Sequence, residues 1–368
     1  MCQRLPRAEG CCALHCVVMV LIFFLLASCS IQRGSVPSTN SSIGGKNPAS
    51  IHVGFLSETK SLDFAQEMAA GAQYAADQYH VSAQIVAPPT FDDPASLKLF
   101  NNLIQTARDG IAIETLAPDL FIQAETDALR QGIPLIAVDT PPPPASHITS
   151  YIGNDNIAAG KMLADAAIKF IPTNAEGHVL VGIDNLAVSI LRSRAQGMVQ
   201  EFRRMRPVLQ IVGPFNSRQP PEQNLATWNS VITAYPALIA CLGVGDADNA
   251  SLAQIKQEKH GTYLSGAFDL DPTALQAIAN GTNFALVDPE HFLKGYIAMR
   301  LLIERALYGY AIPQGWWNPG ALVVTPSNVQ QIIRRQMSLS AKGRFYQPFI
   351  DQQFANPAAQ IKRLDQAT

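Results

Sequence analysis

The chain has 368 residues, 48% of them hydrophobic and 15% charged, with a formal net charge of −2 at neutral pH. That length suffices for two core-forming lobes of ordinary size, and the mildly acidic balance with no basic block speaks against a phosphate-backbone partner. The seven histidines are scattered, and neither His-Glu-x-x-His nor Cys-x-x-Cys occurs, so neither a zinc site nor any other metal is expected.

In chain order the first feature is an apolar run at residues 17–27, VVMVLIFFLLA, preceded by Arg4 and Arg7. Eleven residues are too few for the roughly 20 of a membrane-spanning helix, and the basic start with small residues at its end reads as a signal peptide. Leu26-Ala27-Ser28-Cys29 resembles the bacterial lipobox, which implies acylation of the Cys29 sulfur and a new N-terminus there. Lipid anchoring of that kind gives stable attachment once two or more chains are carried. Cys2, Cys11, Cys12 and Cys16 fall in the leader, so Cys241, in the apolar run ALIACLGVG, has no partner for a bridge and reads as a small core residue. Residues 30–50 are rich in Ser, Gly, Asn and Pro and read as a flexible tether spanning about 25 Å.

From residue 51 the pattern alternates strand with helix. IHVGFL, AQIVAP, IAIETLA and PLIAVD are short apolar runs separated by amphipathic stretches such as 64–78 and 94–107. The alternation restarts with HVLVGID, LQIVGPF, LIACLGVG and YLSGAFD. Short apolar strands alternating with helices imply an α/β fold of two Rossmann-like lobes, each a parallel sheet with helices on both faces. In open sheets of this type ligands bind beyond the carboxyl ends of the strands, which directs attention to the residues just after each strand.

Those strand ends carry a resemblance. AVDT at 137–140, YIGNDNIAAGKMLAD at 151–165, RSRAQGM at 192–198, GVGDADNA at 243–250, GAFD at 266–269 and VDPEHFLKGY at 287–296 are similar, in order and spacing, to the type 1 periplasmic binding proteins. The likeness is specifically to the ribose-binding-like, LacI-related sugar receptors of ABC transporters, and covers roughly residues 51–328. It implies lobes joined by a three-strand hinge, with crossings near 151–155, 285–289 and 313–319. The expected organisation is a leader over 1–28, a tether over 29–50, a first lobe of 51–151 plus 289–312, a second of 152–287 plus 313–335, and a tail over 336–368.

The resemblance also implies ligand groups. Asp139 matches a strand-end aspartate that accepts from sugar hydroxyls, Arg194 an arginine that donates to ring or hydroxyl oxygens, and Asp269 the aspartate of a Gly-Phe-Asp segment into which Ala267 is inserted. Phe64 fits a stacking position, and Asp246, Thr140, Phe215 and Asp288 complete the candidates, with Lys60 or Glu58 also facing the cleft. Ionised acceptors beside a planar donor fork satisfy both directions of a hydroxyl. Several amides of the family pattern are missing: Ala117 and Gly245 stand for asparagines, Thr140 for an arginine, and Val287 near a glutamine. A ligand other than ribose is implied, either another sugar, a polyol, or a non-sugar with amine or apolar character. Trp316 and Trp317 read as hinge packing.

The expectation is a lipid-anchored extracytoplasmic receptor, monomeric and without cofactor, that delivers a small solute to an ABC permease by closing two lobes. A sensing role toward a kinase or chemoreceptor is the alternative. Ser57-Glu58-Thr59-Lys60 has the Ser-x-x-Lys spacing of penicillin-recognising hydrolases but lacks the partner motifs, so an enzyme is not expected.

Overall fold

The computed structural model describes residues 46–367. The leader, Cys29 and most of the tether lie outside the described residues.

Two sheets organise the chain. The first has the order β13-β11-β5-β4-β3-β1-β2, built from β1 (Val53–Leu56), β2 (Ala83–Val86), β3 (Gly110–Glu114), β4 (Leu135–Val138), β5 (Ser150–Ile152), β11 (Gly315–Trp317) and β13 (Ile361–Lys362). The second has the order β12-β10-β9-β8-β6-β7, from β6 (His178–Ile183), β7 (Gln210–Asn216), β8 (Leu238–Gly243), β9 (Leu264–Phe268), β10 (Ala285–Asp288) and β12 (Leu322–Val324). Pairing is parallel throughout except at the two late edge strands, β13 on β11 and β12 on β10. Every residue of β1, β3 and β4 is buried, as central strands covered on both faces require. β7, which carries Pro214, is the half-exposed edge of its sheet.

Helices α1 (Asp63–Gln78), α2 (Asp93–Thr106), α3 (Ile122–Arg130) and α9 (His291–Tyr308) flank the first sheet. The second is covered by α4 (Asn156–Ile168), α5 (Ser189–Met205), α6 (Pro221–Ala234), α7 (Ala247–Glu258) and α8 (Pro272–Ala279). Each lobe contains one very close helix pair. A Cβ on Gly71 of α1 would overlap the Phe292 carbonyl of α9, and one on Gly295 of α9 would overlap the Met68 carbonyl of α1. In the second lobe Gly160 of α4 stands against the Arg194 carbonyl, and Gly197 of α5 against the Ile157 carbonyl. These glycines let backbone touch backbone and thereby fix the start of α9 and the first turns of α5, which bring His291 and Arg194 to the cleft.

The chain passes between the sheets at 153–155, 289–290 and 318–321. The stretch 313–335, expected in the second lobe, is divided: Gly315–Trp317 adds a strand beside β5 of the first sheet, and Leu322–Val324 joins the second. Trp316 Nε1 donates to the Gly153 carbonyl at 2.6 Å, so this tryptophan locks two crossings together. The tail is structured. Val329 and Ile332 of α10 (Val329–Gln336) pack in the second lobe, while Tyr346 and Ile350 of α11 (Leu339–Phe354) pack in the core of the first. The chain therefore crosses a fourth time, at 337–338. Arg335 binds Asp288 at 2.8 Å, and Tyr346 donates to Glu290, so the tail grips the second crossing from both sides.

Candidate functional site

Asp139 and Asp269 occupy equivalent places in the two lobes. Each follows the last residue of a strand, β4 and β9, in the left-handed region with φ of 66° and 73°, a conformation that aspartate tolerates better than bulkier residues. Their amides donate to the neighbouring strands, to Ile152 O and Val287 O, both at 2.9 Å. The chain thus turns sharply out of each sheet, and both carboxylates point into one cavity between the lobes.

That cavity has about 400 Å³ of space between atoms, a figure that includes the part open to solvent. The first lobe contributes Phe64, Leu116, Asp139 and His291. The second contributes Asp184, Asn185, Arg194, Gln219, Asp246 and Asp269, with Val188, Ile190 and Leu191 as an apolar patch. An apolar wall facing converging polar groups can hold the two faces of a small polyhydroxylated ring.

The charges form a chain across the cleft. Arg194 Nη1 lies 3.9 Å from Asp269 Oδ2, and Asp269 Oδ1 lies 2.9 Å from His291 Nε2. His291 Nδ1 is 3.2 Å from Lys294 Nζ, and Lys294 donates to Asp139. An ammonium has no acceptor, so His291 Nδ1 must receive and Nε2–H must donate to Asp269. Burial works to raise the Asp139 carboxyl, but the charges of Lys294 and Arg194 outweigh it and hold the group down at about 2. Arg194 is 2% exposed, stacks its guanidinium 4.6 Å from the Phe268 ring centroid, and donates to Asn156 Oδ1 and Val244 O at 3.2 and 3.0 Å. These bonds use two of its five donors; the fork is held rigid with donors to spare for a ligand.

Of the residues singled out in the sequence, Phe64, Asp139, Arg194, Asp246 and Asp269 line the cavity. Four others have different surroundings. Lys60 is exposed and its amide donates to Pro88 O. Thr140 is buried behind Asp139, and Phe215 packs edge-on to Trp228 at 5.0 Å. Asp288 is bonded to Arg335. None of the four lines the cavity; Phe215 and Asp288 are engaged by other side chains of the fold. Ser57 is buried with its hydroxyl donating to Glu114 at 2.9 Å, so Ser57 and exposed Lys60 do not form a nucleophile and base.

Four polar lining residues escaped the sequence reading: Asp184, Asn185, Gln219 and His291. Asp184 and Asn185 stand immediately after the strand HVLVGI, so the strand-end rule that selected Asp139 applied to them equally. His291 lies inside VDPEHFLKGY, but its role depends on where α9 begins. Among the described residues no group of histidine, cysteine or acidic side chains is arranged to hold a metal ion, and no helix is long and apolar enough to cross a membrane.

Comparison with known proteins agrees with this architecture. Similar solved structures include a solute-binding protein of an ABC transporter from Burkholderia graminis in complex with D-arabinose, at 23% identity and a TM-score of 0.70 over 77% of this chain and 98% of that one. GanP, a glucose-galactose binding protein from Geobacillus stearothermophilus, is 21% identical with a TM-score of 0.67 over 76% of this chain and 98% of its own. In sequence the chain is similar to the xylose/arabinose-binding protein XylF of Sulfolobus acidocaldarius, 23% identical over 248 residues. That match takes in 62% of this chain and 59% of the length of XylF. The family model described as the periplasmic binding protein domain matches residues 53–309, and the chain therefore belongs to that family.

Proposed function

We propose that this chain is an extracytoplasmic solute-binding protein that captures a small sugar-like ligand between its lobes and delivers it to an ABC permease, held at the membrane by acylated Cys29. The observation that carries the reading is the convergence of Phe64, Asp139, Arg194 and Asp269 on one cavity, although the four lie far apart in sequence. Their chemistry suits a hydroxylated ring: carboxylates accept, the guanidinium donates, and the Phe64 ring offers an apolar face. A micromolar receptor needs only about −8 kcal/mol, which a stacked ring and a few charge-assisted bonds supply. The similar proteins that bind D-arabinose, glucose and galactose, or xylose and arabinose support the ligand class.

A thermal-shift screen across pentoses, hexoses and polyols tests the ligand. A bound sugar at 100 times its dissociation constant adds about 2.7 kcal/mol, visible as a raised unfolding temperature. No shift with any member at millimolar concentration overturns the reading. The anchor has its own test. Cys29→Ala should abolish labelling by a palmitate analogue and release the protein from membranes, and unchanged labelling would contradict acylation at that residue.

A further inference from the structure

The second-lobe wall of the cavity carries more carboxyl groups than cations. Asp184, Asp246 and Asp269 line it, with Asp248 directly behind. Asp248 is fully buried and accepts from Ser217 Oγ, Asn224 Nδ2 and Trp228 Nε1 at 2.7, 2.9 and 2.7 Å, and from the Val244 amide at 3.1 Å. The Gly245 amide adds a fifth donor at 3.4 Å, so both oxygens of Asp248 are engaged by the protein. Against these four acids the wall sets, among the described residues, one lining cation, Arg194, which lies 3.9 Å from Asp269. The first lobe adds none to spare, because Lys294 is committed to Asp139 and His291.

Asp184 is the residue without a protein partner. It is 4% exposed, lines the cavity, and its Oδ1 has no hydrogen bond. The space it fills exists because residue 245 is glycine: a Cβ there would overlap the Asp184 carboxylate. A buried unpaired carboxylate costs several kcal/mol unless something compensates it. Burial and the charges of Asp248 and Asp246 hold Asp184 well above the usual carboxylate range, and burial with Asp269 pushes Asp246 up to about 7. Both shifts describe a pocket that lacks a positive charge. The cavity also presents Asp139, Arg194 and the Phe64 ring, groups suited to a hydroxylated ring, so a cation carried on such a ring fits the whole site.

We propose that the ligand of this cleft carries an ammonium group, as an amino-deoxy sugar or amino polyol does, and that the ammonium seats against Asp184 and Asp246 on the cavity side of these two carboxyl groups. This rests on the sugar-like reading above and narrows it. Three N–H donors of an ammonium can serve both carboxylates at once, while the ring hydroxyls remain for Asp139, Arg194 and Asp269.

Calorimetric titration with D-glucosamine, D-galactosamine and D-mannosamine, each beside its neutral parent hexose and its N-acetyl derivative, tests the proposal at near-neutral pH. At least one free amine should bind about tenfold or more tighter than its parent, the size expected of a charge-assisted bond. Acetylation, which removes the charge, should abolish that advantage. Asp184→Asn should narrow the amine-to-parent ratio toward one, and its ligand-free unfolding temperature should not fall, since the substitution keeps the side chain's shape and removes a carboxyl group whose Oδ1 has no hydrogen bond. Neutral parents binding as tightly as the amines, or an amine preference that survives in Asp184→Asn, overturns the proposal while leaving the sugar reading intact. If no member of either set binds the folded protein, the sugar reading itself fails and takes this one with it.

Discussion

His291 Nε2 lies 2.9 Å from Asp269 Oδ1, a single hydrogen bond that joins the start of α9, on the first lobe, to the end of β9 in the second. The same ring sits 5.7 Å from Phe64, centroid to centroid, so it also closes one side of the cavity. His291→Ala should loosen the closed arrangement and leave Asp269 and Lys294 each short of a partner. Ligand affinity should fall by roughly 1–3 kcal/mol, and the ligand-free radius of gyration in solution scattering should increase. An unchanged radius and affinity would mean that this bond does not hold the lobes together.

Closure also depends on how α5 is seated. Because Gly160 stands against the Arg194 carbonyl, Gly160→Ala must push α5 away from α4 at the turn that presents the guanidinium. Overpacking of this kind costs about 1–3 kcal/mol. The distinguishing readout is binding: affinity should drop together with stability, although residue 160 does not line the cavity. A variant that is destabilised yet binds normally would show that Arg194 does not require this seat.

The first lobe contains a pair of buried acids that should shape its pH dependence. Glu114 Oε2 accepts from Ser57 Oγ at 2.9 Å and from the Glu58 amide at 2.6 Å. Burial, then the charge of Glu114, pushes Glu58 up to about 8, and burial pushes Glu114 up to about 7. The folded state therefore keeps protons that the unfolded chain, titrating near 4.5, has already released. Stability should fall as pH rises from about 4.5 toward 8, by up to ~1.4 kcal/mol per pH unit for each proton. Asp139 acts in the opposite sense: its stabilisation is present above its unfolded value of 3.8 and is lost as pH falls toward about 2. Urea unfolding at several pH values checks both, and Glu58→Gln should flatten the upper slope. A slope that persists unchanged in that variant would rule out Glu58 as its source.

The tail offers a fourth test. Arg335 and Asp288 are both almost fully buried and bonded at 2.8 Å, with Glu290 at 3.7 Å from the same guanidinium. Arg335→Met leaves two buried carboxylates without their cation and should cost about 3–5 kcal/mol. Its exposed neighbour Arg334 is the control, where the same substitution should stay within about 0.5 kcal/mol. Equal effects at the two positions would show that the tail does not secure the second crossing.

Much of this was readable in the sequence because it depends on local pattern. Apolar runs ending in aspartate located β4 and β9, and with them Asp139 and Asp269. The same rule reached Asp184, but a carboxylate becomes informative only once its surroundings are known, and those come from Asp246, Asp248 and the bare Cα of Gly245. Lys294 carried no signal. Its partner Asp139 is 155 residues away, and in a helix read alone a lysine is taken as solvated. The consequence is energetic: Asp139 is a buried ion-pair member as well as a cleft residue, so Asp139→Ala should cost stability by stranding Lys294. Phe215 and Asp288 sat at strand ends too, yet Trp228 and Arg335, brought in by later elements, engage them.

The most direct test of the central claim is at Arg194, which lines the cavity with donors left over from its bonds to Asn156 and Val244. The best ligand from the thermal-shift screen is titrated calorimetrically into the native protein and into Arg194→Ala. Both are first shown folded by their cooperative unfolding. The cleft reading predicts that the variant loses roughly 2–5 kcal/mol of binding, as expected when one member of a desolvated charge cluster is removed from its partners. An affinity equal to that of the native protein, in a folded variant, would contradict it.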